Sequence, residues 1–352
     1  MKQLKTVVVG LGRIGWQFHL KQAHEHEGFS LVGVVDPVPD RLQEAWTTYN
    51  VDGFPDMGAC LAATKPDLVA IASPTNFHVD QAILAFKAGC DVFCDKPIAP
   101  SLEEADRMIE SARGHGRKLM VYQPHRATPA AVAIRDLIGR GLIGPVRSMK
   151  FRSSGYVRRN DWQAFVKNGG GMLNNYGAHL IDQALHFSGS KAARISCLLR
   201  TIASLGDADD YVKALIETES GTILDIEINQ ASALDMPRLQ IFGQHGAIVG
   251  DDDSRAWKVR YFDPDKLGDL PIQESLAAVG RKYPSEEIPW QEAAFKMSEF
   301  KGISFYDRCH DYFAGDQPPF VPIEETREVM RVMDECRKDA AGSIDQTQER
   351  HR

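Results

Sequence analysis

Apolar residues along the first third of the chain come in short unbroken runs separated by helix-period stretches. Thr6–Val9, Phe29–Asp36, Asp67–Ser73, Asp91–Cys94 and Lys118–Tyr122 read as strands. Helices are expected from Arg13 to about His26 and from Asn76 to Lys87, the latter stopped by Gly89. Ser101-Leu102-Glu103-Glu104 is a capping box opening a further helix. Near-continuous apolar strands between amphipathic helices predict a doubly wound parallel sheet covered on both faces. After about residue 145 the pattern changes. Val146–Ser153, Ile195–Ala203, Tyr211–Glu217, Thr222–Ala231, Arg238–Phe242 and Trp257–Phe262 read as strands, interrupted by one helix from about His179 to Phe187. Leu224-Asp225-Ile226-Glu227-Ile228-Asn229 alternates strictly, as an antiparallel strand with one buried face does. Glu219-Ser220-Gly221 and Gln244-His245-Gly246 are expected hairpin turns. The fold class is therefore α/β followed by α+β with a mostly antiparallel sheet. Residues 264–290 read as a long loop, Ile323–Ala340 as an amphipathic helix, and the last ten residues as a polar, frayed end.

Composition narrows the function classes. The chain has 352 residues, 43% of them hydrophobic and 25% charged, with a net charge of −7, which fits a soluble two-domain protein without attraction for nucleic acid. No apolar run approaches the roughly 20 residues of a membrane span. Cys60, Cys90, Cys94, Cys197, Cys309 and Cys336 have no metal-ligand spacing and read as reduced thiols of a cytoplasmic protein without a signal peptide.

The candidate chemistry begins where the first strand ends. Thr6–Val9 runs into Gly10-Leu11-Gly12-Arg13-Ile14-Gly15, a Gly-x-Gly-x-x-Gly turn in a strand–turn–helix setting. Gly10 permits the tight turn, Gly12 lets the backbone approach a pyrophosphate, and Gly15 lets helix and strand pack closely. Asp36 ends the second strand, 21 residues after Gly15, where an acid accepts the ribose hydroxyls of an adenosine. Its charge repels a 2′-phosphate and Pro37-Val38-Pro39 brings no cation, so NAD is favoured over NADP. Arg41 reads as an exposed helix arginine or as a stacking partner for the adenine. Lys96, in Asp95-Lys96-Pro97 at a strand C-terminus, is suited to hold a substrate oxygen. Asn175 and His179 are four apart beside Gly169-Gly170-Gly171, and the imidazole suits proton transfer near neutrality. Asp182, one turn on, is positioned either to orient His179 or merely to cap and solvate.

Taken in order, the glycine turn, Asp36, Ser73-Pro74-Thr75-Asn76-Phe77-His78, Asp95-Lys96-Pro97, Arg126 with Pro129, and Asn175-Tyr176-Gly177-Ala178-His179-Leu180-Ile181-Asp182 resemble the Gfo/Idh/MocA oxidoreductases. The resemblance extends through Phe305-Tyr306 to the terminal helix. It implies an NAD-binding Rossmann domain (1–123), a substrate and oligomerisation domain on a large open antiparallel sheet (124–320), and a terminal helix (321–342) returning to the Rossmann domain. It puts the signature lysine at Lys96 and the catalytic histidine at His179, and sets Ser73, Pro74, Thr75, Asn76 and His78 near the nicotinamide. It implies homodimers or homotetramers through the second sheet. Two positions depart from the family pattern: Asp95 stands for the usual glutamate, and Asn175 for an aspartate common in sugar and inositol dehydrogenases. An amide takes no proton at neutral pH, which leaves His179 alone or assisted by Asp182.

The expected reaction is oxidation of a secondary hydroxyl of a sugar or polyol. Tyr122, Gln123, Arg126, Tyr156, Arg158, Asn160, Trp162 and Tyr176 are expected to line the crevice. Arg158-Arg159 is either a solvated pair or a hint of an anionic substrate. Reduction of a C=C or C=N bond on the same scaffold, and a non-catalytic sensor of NAD or sugar, are the rival readings.

Overall fold

A computed structural model of the chain describes residues 2–251, 256–272, 274, 286–315 and 317–349. Six strands form the first sheet: β1 (Leu4–Val9), β2 (Phe29–Val35), β3 (Gly53–Phe54), β4 (Leu68–Ile71), β5 (Asp91–Asp95) and β6 (Leu119–Tyr122). Their order is β3-β2-β1-β4-β5-β6 and every pairing is parallel. The chain order reverses direction between β1 and β4, so a crevice opens at their C-terminal ends. The apolar runs are buried because helices cover both faces. These are α1 (Lys21–Glu25, preceded by a π-wound turn at Gly15–Leu20), α2 (Pro39–Tyr49), α3 (Met57–Thr64), α4 (His78–Lys87) and α5 (Leu102–Gly114). The Ser101 hydroxyl accepts the Glu104 N–H at the start of α5, which realises the expected cap. The next helix, α6 (Pro129–Gly139), starts behind a similar Thr128 cap and leads into the second sheet.

The second sheet has eight strands: β7 (Val146–Ser154), β8 (Ala192–Arg200), β9 (Tyr211–Thr218), β10 (Ile223–Asn229), β11 (Leu239–Gly243), β12 (Gly246–Asp251), β13 (Ala256–Tyr261) and β14 (Gln291–Lys296). They run in the order β14-β13-β12-β11-β7-β10-β9-β8, antiparallel except for β7 against β10. In β10 the residues Leu224, Ile226 and Ile228 are fully buried, so the strict alternation does mark one covered face. The expected turn at Gln244-His245-Gly246 joins β11 to β12, a strand the apolar pattern did not single out. β14 was also unexpected, and it falls just after the anticipated loop at 264–290, much of which lies outside the described residues. Helix α7 (Ala178–Ser188) lies against the buried face.

Two late helices tie the domains together. α8 (Phe305–Ala314), assigned by sequence to the second domain, packs on the first sheet, with Phe305 stacked on Phe93. α9 runs over Ile323–Glu349, past the expected end at Ala340. It bridges the two sheets. Asp334 accepts the Leu102 N–H at the start of α5, while Glu328 and Asp339 accept the Ala192 and Cys197 N–H groups of β8. No helix among the described residues is long and apolar enough to cross a membrane.

One buried polar group marks the α8 contact. His19 is 0% exposed; its Nδ1 lies 2.8 Å from the Tyr306 hydroxyl and its Nε2 has no partner among the described residues. Burial, with a smaller effect from His78, pushes its pKa from 6.5 down to about 3. The unfolded chain therefore binds the extra proton between those values, and stability falls as pH drops from 6.5 toward 3. His19→Gln removes this component. In urea melts, the stability lost between about pH 7 and about pH 5 is expected to be smaller in the variant by about 2 kcal/mol. Equal losses in the two proteins would refute the assignment.

Candidate active site

The glycine turn closes against β4. Gly10 has φ +88°, and a Cβ there would sit 2.6 Å from the Ser73 nitrogen. A Cβ on Gly15 would lie 1.7 Å from the Gly10 oxygen, so both positions exclude a side chain for packing reasons. Gly12 differs: nothing lies within 4 Å of a Cβ placed there. That open approach at the head of a helix fits a pyrophosphate. Asp36 sits just past β2, 2% exposed, and its carboxylate accepts N–H groups from Leu11 (2.8 Å) and Val38 (3.0 Å). It thereby ties the glycine turn to β2. Arg41 is the exposed helix arginine the sequence offered, on α2, and it is ion-paired to Asp36 at 3.2 Å.

The next strand ends carry the crevice. After β4, the Ser73 hydroxyl donates to Gln81, and the Asn76 amide reaches across to the Lys167 carbonyl of the second domain. His78 is 1% exposed, with its ring nitrogens 2.7 Å from the Ser73 oxygen and 3.0 Å from the Pro97 oxygen. It clamps the turn after β4 to the turn after β5 instead of offering its ring to the crevice. Asp95 ends β5 and accepts the Lys96 N–H at 2.8 Å; the Lys96-Pro97 peptide is cis. The Lys96 ammonium then crosses the domain boundary and donates to the Asn175 main-chain oxygen at 2.6 Å and to its Oδ1 at 3.2 Å. Burial pulls the Lys96 pKa from 10.5 to about 8, opposed by Asp95 and aided by Arg13. The same burial raises Asp95 from 3.8 to about 6.

Asn175 belongs to a π-wound turn, Leu173–Gly177, that leads into α7; widened turns of this kind recur at functional sites. His179 lies one turn further, 9% exposed. Its Nδ1 faces Gln123 Oε1 at 3.0 Å, and the Gln123 amide nitrogen is committed to the Ala178 oxygen. An amide oxygen only accepts, so Nδ1 carries the proton and Nε2 keeps its lone pair. His125 stacks on His179 with ring centroids 3.9 Å apart and planes 15° apart. Burial, then Lys96 and His125, holds His179 well below its ordinary pKa; burial, then Lys96 and Arg238, brings His125 to about 4.

Two sequence expectations are corrected by geometry. Asp182 does not turn to His179: it is 0% exposed and forms a forked pair with Arg126, whose nitrogens lie 2.7 and 2.6 Å from its oxygens. Arg126 in turn is 2% exposed and also holds Glu325 of α9, so it does not line the crevice. Gln123 meets His179 and Ala178 as described. Tyr156, Trp162 and Tyr176 are exposed around the second domain's loops. His125 was missed because a lone histidine in an aperiodic loop carries no pattern. Gln163 was missed as well; its Oε1 accepts the Asn175 amide at 3.3 Å and Arg159. A small cavity on that side of Asn175 is bounded by Arg159, Gln163, Ser204, Asp209 and Asp210. Among the described residues no cluster of ligands could hold a metal.

Comparison with known proteins agrees with this fold. Residues 4–123 match the model "Oxidoreductase family, NAD-binding Rossmann fold", and residues 131–249 match the "GFO/IDH/MocA C-terminal domain". The chain is 29% identical over 195 residues to a D-glucoside 3-dehydrogenase of Escherichia coli, a match taking in 54% of this chain and 56% of that one. It is 27% identical to an inositol 2-dehydrogenase of Rhizobium meliloti, over 70% of this chain and 74% of that protein. A solved NAD-binding protein from Listeria innocua shares the fold, with a TM-score of 0.83 at 24% identity, covering 97% of this chain and 96% of the other.

The Gln123–His179 contact has a measurable consequence. A carboxylate in place of the amide would favour the imidazolium. Gln123→Glu is expected to raise the His179 pKa by at least about one unit in an NMR titration of the histidine ring protons. An unchanged titration would show that Gln123 does not govern His179.

Proposed function

This chain belongs to the Gfo/Idh/MocA oxidoreductase family, and we propose that it reversibly oxidises a secondary hydroxyl of a sugar, polyol or sugar derivative, with NAD as the hydride acceptor. The observation that carries the reading is the Lys96 ammonium held against Asn175 one helical turn from the lone pair of His179.

NAD, when bound, supplies the two-electron acceptor, and the protein supplies position and electrostatics. The turn through Gly10, Gly12, Arg13, Ile14 and Gly15 would hold the pyrophosphate. Asp36 would meet the adenosine ribose once Arg41 swings aside, and the buried carboxylate is the reason to favour NAD over NADP. Ser73, Pro74, Thr75 and Asn76 would border the nicotinamide. Lys96, with a pKa of about 8, stays mostly charged at pH 7 and would polarise the carbinol oxygen. His179 Nε2 would take the hydroxyl proton. Asn175 cannot do so; its amide would bind a neighbouring hydroxyl while its oxygens hold Lys96. Asp182, spent on Arg126, takes no part in the proton path. On the outer face of the second sheet, Leu198, Leu215 and Ile223 are exposed, and a second copy of the chain would cover them.

Lys96→Met tests the assignment. NAD reduction across a panel of polyols and aldoses should fall by about 100-fold or more, with NADH affinity held within about twofold. Full activity in the variant sinks the role of Lys96. Turnover of enones or imines, with none of any polyol, would replace the reaction itself.

A further inference from the structure

The Asn175 amide ends in an oxygen and a nitrogen of nearly equal size and opposite chemistry, and its neighbours decide which of them faces Lys96. An ammonium only donates, so the atom 3.2 Å from it is the Asn175 Oδ1. That turns the Asn175 Nδ2 toward the Gln163 Oε1, 3.3 Å away. The Gln163 amide is oriented in the same way from its far end. The Arg159 guanidinium, which also only donates, meets the same Oε1, and Arg159 is itself held by the Asp161 carboxylate at 3.0 Å. A cation at each end therefore fixes the polarity of the row Arg159–Gln163–Asn175–Lys96. The backbone of Gln163 is placed as firmly as its side chain. Its N–H donates to Asp161 at 3.0 Å, and its main-chain oxygen accepts the Gly171 N–H at 3.0 Å. A Cβ on Gly170 would lie 2.2 Å from that oxygen, so the glycines ahead of the π-wound turn are what let Gln163 come this close. Gln163 and Asn175 both border the small cavity described above.

We propose that Gln163 is a positioning residue of this site: by accepting one Asn175 amide N–H it keeps the Asn175 oxygen on Lys96 and leaves the second N–H for a hydroxyl of the substrate. The role rests on the hydroxyl-oxidising reading above and is exerted only through Asn175. Without the Gln163 oxygen the Asn175 amide is free to turn over. Turned over, it sets its nitrogen against the Lys96 ammonium, donor against donor. Of its two Asn175 acceptors the ammonium then keeps only the main-chain oxygen at 2.6 Å. A buried ammonium short of an acceptor gives up its proton more easily. The other groups around it stay as they are: Asp95 on β5 and Arg13 of the glycine turn act on Lys96, and His78, His125 and His179 feel its charge.

The test follows the Lys96 ammonium directly, by NMR of isotope-labelled lysine side chains in the full chain with NADH bound, the signal being assigned by its loss in Lys96→Met. Gln163→Met keeps the bulk and removes the acceptor. It should lower the Lys96 pKa by at least about half a unit. Gln163→Glu keeps an acceptor for both Arg159 and Asn175, and should leave that pKa at or above its value in the unaltered protein. If the Gln163→Met protein fails to fold or to bind NADH, Gln163→Asn, an amide one methylene short of Asn175, takes its place with the same expectation. An unmoved Lys96 pKa in the variant lacking the acceptor overturns the proposal, and so does an equal fall in Gln163→Glu, which would mean that Gln163 only packs. The pH profile of polyol oxidation separates this role from the reaction. Activity that needs the ammonium is lost as pH rises through the Lys96 pKa, so the alkaline limb of kcat/KM should move to lower pH in Gln163→Met, and the acid limb should stay. Alcohols oxidised with an unmoved alkaline limb and an unmoved Lys96 pKa would defeat the positioning role alone. A lowered Lys96 pKa in a protein that oxidises no alcohol would defeat the dehydrogenase reading and leave the hold of Gln163 on Asn175 standing.

Discussion

The constraint on which the site depends is the burial of the Lys96 ammonium. A cation taken from water loses solvation worth several kcal/mol unless the protein supplies acceptors. Here the acceptors come from the other domain. Asp95 stands behind it on β5, and Asn175 presents a main-chain and a side-chain oxygen from the second domain. The two domains must therefore hold one relative position for the charge to be satisfied. The π-wound turn at Leu173–Gly177 carries Asn175 and its carbonyl to that meeting point, and His78 pins the loop bearing Lys96 to the loop bearing Ser73.

Once that charge is fixed, the electrostatics of its neighbours follow. Low dielectric and a nearby cation both disfavour imidazolium, so His179 rests neutral, with its tautomer set by the fixed amide of Gln123. A neutral, oriented imidazole is able to accept a proton, but the Asp182 carboxylate, paired with Arg126, is not turned to it to steady the resulting charge.

Much of the fold was legible because burial leaves a period. Unbroken apolar runs became β1, β2, β4, β5 and β6, and alternating ones became β9 and β10. β12, with the sequence Gly-Ala-Ile-Val-Gly-Asp, is short and bounded by glycine, and β14 is Gln-Glu-Ala-Ala-Phe-Lys with no β-branched residue. Such strands form because a neighbour offers an edge, information that lies elsewhere in the chain. The site divides in the same way. The glycine turn, Asp36, Lys96 and His179 occupy positions that strand ends and helical spacing define. Spacing places Asp182 one turn from His179 but says nothing of which neighbour it faces, and Arg126 sits 56 residues earlier in the chain. His125 and Gln163 owe their places entirely to how the two domains meet.

The Arg126–Asp182 pair, though it is no part of the crevice, bears on the chemistry there. Both side chains are nearly inaccessible, and removing one partner would leave a buried charge, typically a loss of about 3–5 kcal/mol. A pair so costly to break is poorly explained as mere stabilisation, since apolar residues of similar size often serve as well. Its geometry suggests what it is for. Asp182 follows His179 by three residues on α7, and the fork to Arg126 fixes the rotation of that helix about its axis. Arg126 is itself held by Glu325 at the start of α9, which spans both sheets. Glu325, Arg126 and Asp182 thus form a chain of charges running from the last helix to α7, where it ends three residues from His179 without touching the imidazole.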